Sequence, residues 1–100
     1  MTIRKATLVI ENGGTVSGSL GLEGHSRGSI QFPAAFTGTN VQASGSNDGT
    51  NFTDIGSVLT KANNGVVSLP AALFDCAFMR LTSQAAEAAE REIIVHLAGG

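Results

Sequence analysis

The strongest constraint in this chain is a period-two alternation of apolar and polar residues, cut repeatedly by glycine, asparagine and proline. Thr7-Leu8-Val9-Ile10 is rich in β-branched residues, and Asn12-Gly13-Gly14 then supplies positions that tolerate φ > 0. Thr15 to Leu20 reads as a second strand, weakened by its two serines and Gly18. Gly21 to Gly28 is loop-like, and Ser29 to Phe32 is a short strand that Pro33 ends. Thr39 to Ser46 alternates again, with Val41, Ala43 and Gly45 on one side and Asn40, Gln42 and Ser44 on the other. Phe52 to Leu59 follows, then a turn at Asn63-Asn64-Gly65 and a strand carrying Val66, Val67 and Leu69. Phe78-Met79-Arg80-Leu81-Thr82 and Ile93-Ile94-Val95-His96-Leu97 are the last two strands. About eight short strands with turns roughly every 8–12 residues predict an all-β chain: one antiparallel β-sandwich, in its jelly-roll version.

Two segments depart from this pattern. Pro70-Ala71-Ala72-Leu73-Phe74 is suited to one helical turn, because proline is tolerated at a first helical position. The alanine-rich stretch Gln84 to Glu92 has the best helix propensity in the chain. At nine residues it is too short for an autonomous helix. Short helical turns are therefore expected near 70–75 and 84–90, the second inside a loop.

One hundred residues form a single domain, residues 1–100, whose core must be built from small pieces. Leu, Ile, Val and Phe make 26 residues, enough for a core, but Trp and Tyr are absent, and homo-oligomerisation into a dimer or trimer is an expected supplement. Six basic against eight acidic residues provide no basic face for phosphates, so nucleic acid is not an expected partner. The apolar runs are too short for a transmembrane helix, and the N-terminus is too short in apolar residues for a signal-peptide core, so no membrane partner is expected. The single cysteine, Cys76, has no internal disulfide partner, which suits maturation in a reducing compartment.

The stretch SGSNDGTNFTDI, Ser44 to Ile55, has the look of a metal loop. A strong calcium loop needs six to eight oxygens with carboxylates at alternating positions. Here Asp48 and Asp54 are the only carboxylates, and the alternation is missing. Asn47-Asp48-Gly49 suits a turn, in which Asn and Asp side chains bond their own backbone. The expectation is a turn, with no metal and no cofactor.

The remaining chemical groups favour structural readings. His96 alternates with Val95 and Leu97 and is expected to face away from them. His25, beside Ser26 and near Glu23 and Arg27, is read as part of a solvated loop, since sequence neighbours do not make a catalytic triad. Cys76, next to Asp75 and between Phe74 and Phe78, reads as a buried filler rather than a nucleophile. Glu87, Glu90 and Glu92 read as a solvated face. Arg80 is expected to pair with Asp54 or Asp75. No phosphate loop, haem motif or metal-ligand cluster stands in the sequence, and the chain is read as not an enzyme.

Phe32-Pro33-Ala34-Ala35-Phe36-Thr37-Gly38-Thr39, Ser46-Asn47-Asp48-Gly49-Thr50-Asn51-Phe52, Leu69-Pro70-Ala71-Ala72-Leu73-Phe74, Phe78-Met79-Arg80-Leu81-Thr82-Ser83 and Ala88-Ala89-Glu90-Arg91 follow one another in order. This succession, over roughly residues 28 to 98, resembles small β-sandwich proteins of tailed-phage virions. The Ser-x-Asp-Gly-x-x-Phe and Phe-x-Arg-Leu pieces are also similar to discoidin-like jelly rolls. The resemblance implies a structural virion protein, made in the bacterial cytoplasm and carried on the capsid surface. Its expected role is capsid cement or decoration, bound to the major capsid protein or another virion protein. The alternative it implies is a tail or fibre module that binds a cell-surface glycan, although sugar-binding relatives carry the Trp or Tyr that this chain lacks. The candidate interface comprises Met1, Thr2, Ile3, Arg4 and Lys5, read as an extended N-terminal arm, with His25 and Arg27.

Overall fold

The computed structural model describes residues 3–61 and 65–99. Among the described residues there are nine strands: β1 (Ile3–Ile10), β2 (Leu20–Gly21), β3 (Arg27–Gln31), β4 (Asn40–Ser46), β5 (Thr53–Asp54), β6 (Leu59–Thr60), β7 (Val66–Ser68), β8 (Phe78–Ser83) and β9 (Arg91–Ala98). A first sheet has the order β1-β9-β3-β7 and a second the order β2-β8-β4-β5, with β6 also on β4. The β5 and β6 pairs both lie along β4, at Ser44 and Gly45 and at Asn40 and Val41, so they are one edge position broken in the middle. That leaves eight strand positions in two antiparallel four-stranded sheets, with the chain crossing back and forth between them. This is a jelly-roll order.

The alternation in the sequence becomes two inner faces. Leu8, Ile10, Ile30, Phe32, Ile93, Val95 and Leu97 from the first sheet meet Leu20, Val41, Ala43, Met79 and Leu81 from the second, all buried. Phe32 and Phe36 meet edge to face at 5.2 Å, closing one end of the core. The accessible surface, 5008 Å², is close to the about 5,300 Å² expected of a folded monomer of this mass. The sandwich closes without a large apolar deficit.

Side chains repair the places where ladders are interrupted. The isolated Val16↔Thr82 bridge and the Leu20↔Met79 pair differ in register by one residue, so Thr15 to Ser19 contains a bulge beside β8. There the Ser17 hydroxyl accepts the Leu81 N–H at 2.9 Å, while the Ser17 N–H donates to the Leu81 carbonyl at 2.8 Å. This explains why the strand predicted over Thr15 to Leu20 is regular only at its end. Between β5 and β6 the Gln42 amide donates to the carbonyls of Ala43, Ile55 and Gly56, bridging the break, where the Ile55 N–H also reaches the Ala43 carbonyl at 2.9 Å.

Three expectations are corrected or fall elsewhere. The helical turn at 70–75 is present as a 3₁₀ turn, Ala71–Asp75, but residues 84–90 hold no helix. The Glu87 N–H donates to Gly14 and its carbonyl accepts from Gly13, so the backbone is committed to the β1–β2 connection rather than to a helical turn. Ile3, Arg4 and Lys5 are not a free arm; they are the start of β1, paired with Ala98, Leu97 and His96. Asn63 and Asn64 of the predicted turn lie outside the described residues.

Close packing between strands sets one sharp requirement. A Cβ placed on Gly28 would lie 2.5 Å from the His96 carbonyl oxygen and 3.0 Å from Leu97 Cδ2. The first contact is backbone and cannot rotate away. Gly28→Ala is expected to lower stability by about 1–3 kcal/mol. Gly18→Ala, where a Cβ meets nothing within 4 Å, is expected to be neutral or to raise it. Thermal unfolding of the two variants beside the parent checks both.

Candidate functional site

The opposite ends of the first sheet's outer face each carry a groove. One, of about 420 Å³, is lined by Ile3, Arg27, Ser29, Ser68, His96 and Ala98, with Gly28 and Leu69 at its floor. Its geometry follows from register: Ile3 pairs with Ala98, and Ala98 with Arg27, so two residues far apart in sequence share one row across β9. Lys5 and His96 form the next row, both exposed. His96 thus faces outward, as its alternation requires. The other groove, of about 460 Å³, is lined by Gln31 to Ala35, by Glu90 to Glu92 and by Ile94.

Among the candidate interface residues, Ile3, Lys5 and Arg27 therefore gather at one end of one face. Met1 and Thr2 lie outside the described residues. The Arg4 guanidinium has another task, donating from Nη1 to the Gly21 carbonyl and to the Glu23 carboxylate, both at 2.8 Å. This ties β1 to the β2–β3 loop. His25 departs from the solvated-loop reading. It is buried, and its backbone N–H and its Nδ1 both reach the Leu22 carbonyl, at 3.0 and 2.8 Å, so Nδ1 carries the proton. The ring is held inward by a turn in which Glu23 takes φ 52° and Gly24 φ 80°.

The SGSNDGTNFTDI stretch is a turn closed by its own side chains. Asp48 Oδ1 accepts from the N–H groups of Thr50 and Asn51 and from Ser46 Oγ, all at 2.8 Å, and Oδ2 accepts from Asn51 Nδ2 at 2.9 Å. The Asn51 and Thr50 backbone donors, then the side chains of Asn51 and Ser46, hold the Asp48 carboxyl well below the usual carboxylate range. Gly49 takes φ 78° at the bend. Asn47 Oδ1 accepts the Ala77 N–H at 3.1 Å, anchoring the turn to the residue that leads into β8. Among the described residues no three His, Cys, Asp or Glu side chains converge as metal ligands would.

Arg80 does not make the predicted pair with Asp54 or Asp75. Its guanidinium carbon lies 4.3 Å from the centre of the Phe52 ring, and its buried Nε has no hydrogen-bond partner among the described residues. Asp54 is bonded instead by Ser44 Oγ at 2.8 Å. Since Ser44 pairs with Arg80 on one side and Asp54 on the other, the three form a polar row across the outer face of the second sheet. Cys76 is half-buried, against Gly45, rather than a sealed core residue.

Sequence reasoning missed a buried, four-fold bonded carboxylate. Glu87 is 1% exposed, not part of a solvated face. Its carboxylate accepts from the N–H groups of Thr37 at 2.8 Å and Gly38 at 3.0 Å, from Ser83 Oγ at 2.9 Å and from Arg91 Nε at 3.0 Å. Burial alone pushes the carboxyl up, but these four donors outweigh it and hold it below its ordinary value. The only signal in the sequence is the four-residue spacing of Glu87 and Arg91, an ordinary surface pair on a helix that is not formed. Comparisons with known proteins returned no matching family model, no matching curated protein and no matching solved structure.

Glu87→Gln keeps the shape but removes the charge and sets amide hydrogens against N–H donors, so stability should fall by about 2–3 kcal/mol. The pH dependence has a definite sign. A carboxyl held below its unfolded value contributes fully above that value, about 4.3 for glutamate, and its contribution fades as pH falls through the folded one. Thermal unfolding followed from neutral pH downward should therefore show a loss of stability below about pH 4.5 that is smaller in Glu87→Gln. Asp48 adds a loss of the same sign, so the variant keeps part of the slope.

Proposed function

We propose that this chain is a structural component of a tailed-phage virion, a cement or decoration protein that binds across joints between capsid subunits and stabilises the head. The observation that carries the reading is the edge of the first sheet. Among the described residues, strand β1 offers eight residues with no partner strand on its outer side, whereas the other edges, β7, β2 and the broken β5–β6, have strands of two or three residues. A long open edge accepts a strand from a neighbour through backbone hydrogen bonds, and its alternating side chains give specificity. Ile3 and Lys5 lie on that edge, and Ile3 shares a groove with Arg27 across β9. The jelly-roll order and the succession of motifs over residues 28 to 98 support the same reading. Binding works by surface complementarity without a catalytic step, and weak contacts repeated by symmetry add up through multivalency.

The row of Arg80, Ser44 and Asp54 beside Phe52 favours a second reading, a tail or fibre module that binds a glycan through the outer face of the second sheet. An aromatic ring flanked by hydrogen-bonding groups is a suitable sugar platform.

Purified protein mixed with particles that lack it, followed by pelleting and copy counting, separates the two. Copies on the order of hundreds per head, with a gain in heat resistance, are expected of a cement protein. A dozen or so would place it at the tail, and no binding at all would sink the virion reading.

A further inference from the structure

The outer face of the first sheet is polarised along its strands. At one end stand Lys5 and Arg27, both exposed, with His96 between their strands. At the other end stand Glu90 and Glu92, also exposed, beside the groove behind Pro33. Between and around them lie Ile3, 61% exposed, Val66, 65% exposed, and the half-buried Val9 and Ile94. Pairing puts these residues in register: Ile3, Ala98 and Arg27 in one outer row, Thr7, Ile94, Gln31 and Val66 in another, and Val9 with Glu92 in the last. A four-stranded face with two strongly exposed aliphatic side chains and opposite charges at its ends is not how a wholly solvated sheet face is usually composed.

Such a face carries its own complement. A two-fold axis lying in the plane of contact and perpendicular to the strands reverses strand direction, so each basic end meets the partner's acidic end. Under that operation the row of Ile3 and Arg27 lies over the row of Val9 and Glu92. Arg27 then reaches the Glu90–Glu92 groove of the second copy, Ile3 meets Val9, and Ile94 lies near the axis. The contact is isologous, so each charge pairing and each apolar pairing occurs twice. Sheets packed this way stand about 10 Å apart and cross at about 30°.

We propose that a second copy of this chain covers the outer face of the first sheet, forming a two-fold face-to-face dimer. With β1 and β9 eight residues long, β3 five and β7 three, and strands about 4.8 Å apart, the face presents about 400 Å² of plane per partner, the size of a weak, transient interface. The dimer is therefore of micromolar rather than nanomolar strength. It leaves the β1 edge open for the capsid contact, and it stands or falls on purified protein alone, independently of the virion reading.

Sedimentation velocity of the full chain over about 1–200 µM tests it. The expected result is a monomer–dimer equilibrium that Arg27→Glu and Glu92→Arg each weaken about tenfold or more, and that the double exchange restores. Circular dichroism checks that each variant is folded. If Glu92→Arg disturbs the strand, Glu90→Arg at the exposed rim takes its place. A monomer throughout the range overturns the proposal, as does a trimer, or a dimer that neither charge reversal weakens.

Discussion

The buried carboxylate of Glu87 is the interaction on which one whole end of the sandwich depends. Its side chain gathers the N–H groups of the 37–38 turn, the hydroxyl at the end of β8 and the guanidinium at the start of β9, while its own backbone pairs with Gly13 and Gly14. Three connections that share no sequence pattern thereby meet at one charge. A charge buried this completely is stable because donors surround it. Removing any one of them leaves the rest with an imperfectly solvated anion. That is why this end is irregular in secondary structure yet tightly held.

The opposite end is fastened by weaker, more exposed bonds: the Arg4 guanidinium to the Gly21 carbonyl and Glu23, and the His25 ring to the Leu22 carbonyl. The two outer faces also differ in character. The second sheet presents a polar row and a guanidinium stacked on a ring. The first presents aliphatic side chains between charges of opposite sign, and among the described residues it has a long open edge at β1. The small sandwich closes its core between its own two sheets. Contacts made by its faces and edge are then available for assembly, which is the role proposed for it.

Much of the fold was legible because the signals were local. The alternation in β4 and β9, the Asn12-Gly13-Gly14 turn and the Asx turn at Asp48 each depend on residues within a few positions of one another. The candidate site was legible only in part. Ile3, Lys5 and Arg27 were singled out individually, but their gathering at one end of a sheet depends on both β1 and β3 pairing with β9. Arg80 was noticed as the notable charge and assigned the wrong partner, because Ser44 engages Asp54 and the Phe52 ring takes the cation instead.

The sequence by itself determined the all-β character, the approximate strand positions and the turn chemistry, since alternation and turn residues act over a few bonds. Tertiary structure alone decided which strands pair and in what register, the burial of Glu87 and His25, and the fate of the alanine-rich segment. Gln84 to Glu92 has helical propensity worth only tenths of a kcal/mol per residue. Long-range bonds from Gly13, Gly14, Thr37 and Gly38 outweigh that preference once the sheets bring those groups within reach. The charge polarity of the first sheet's outer face has the same origin, because only the register across β9 aligns Arg27 with Ile3 and Val9 with Glu92.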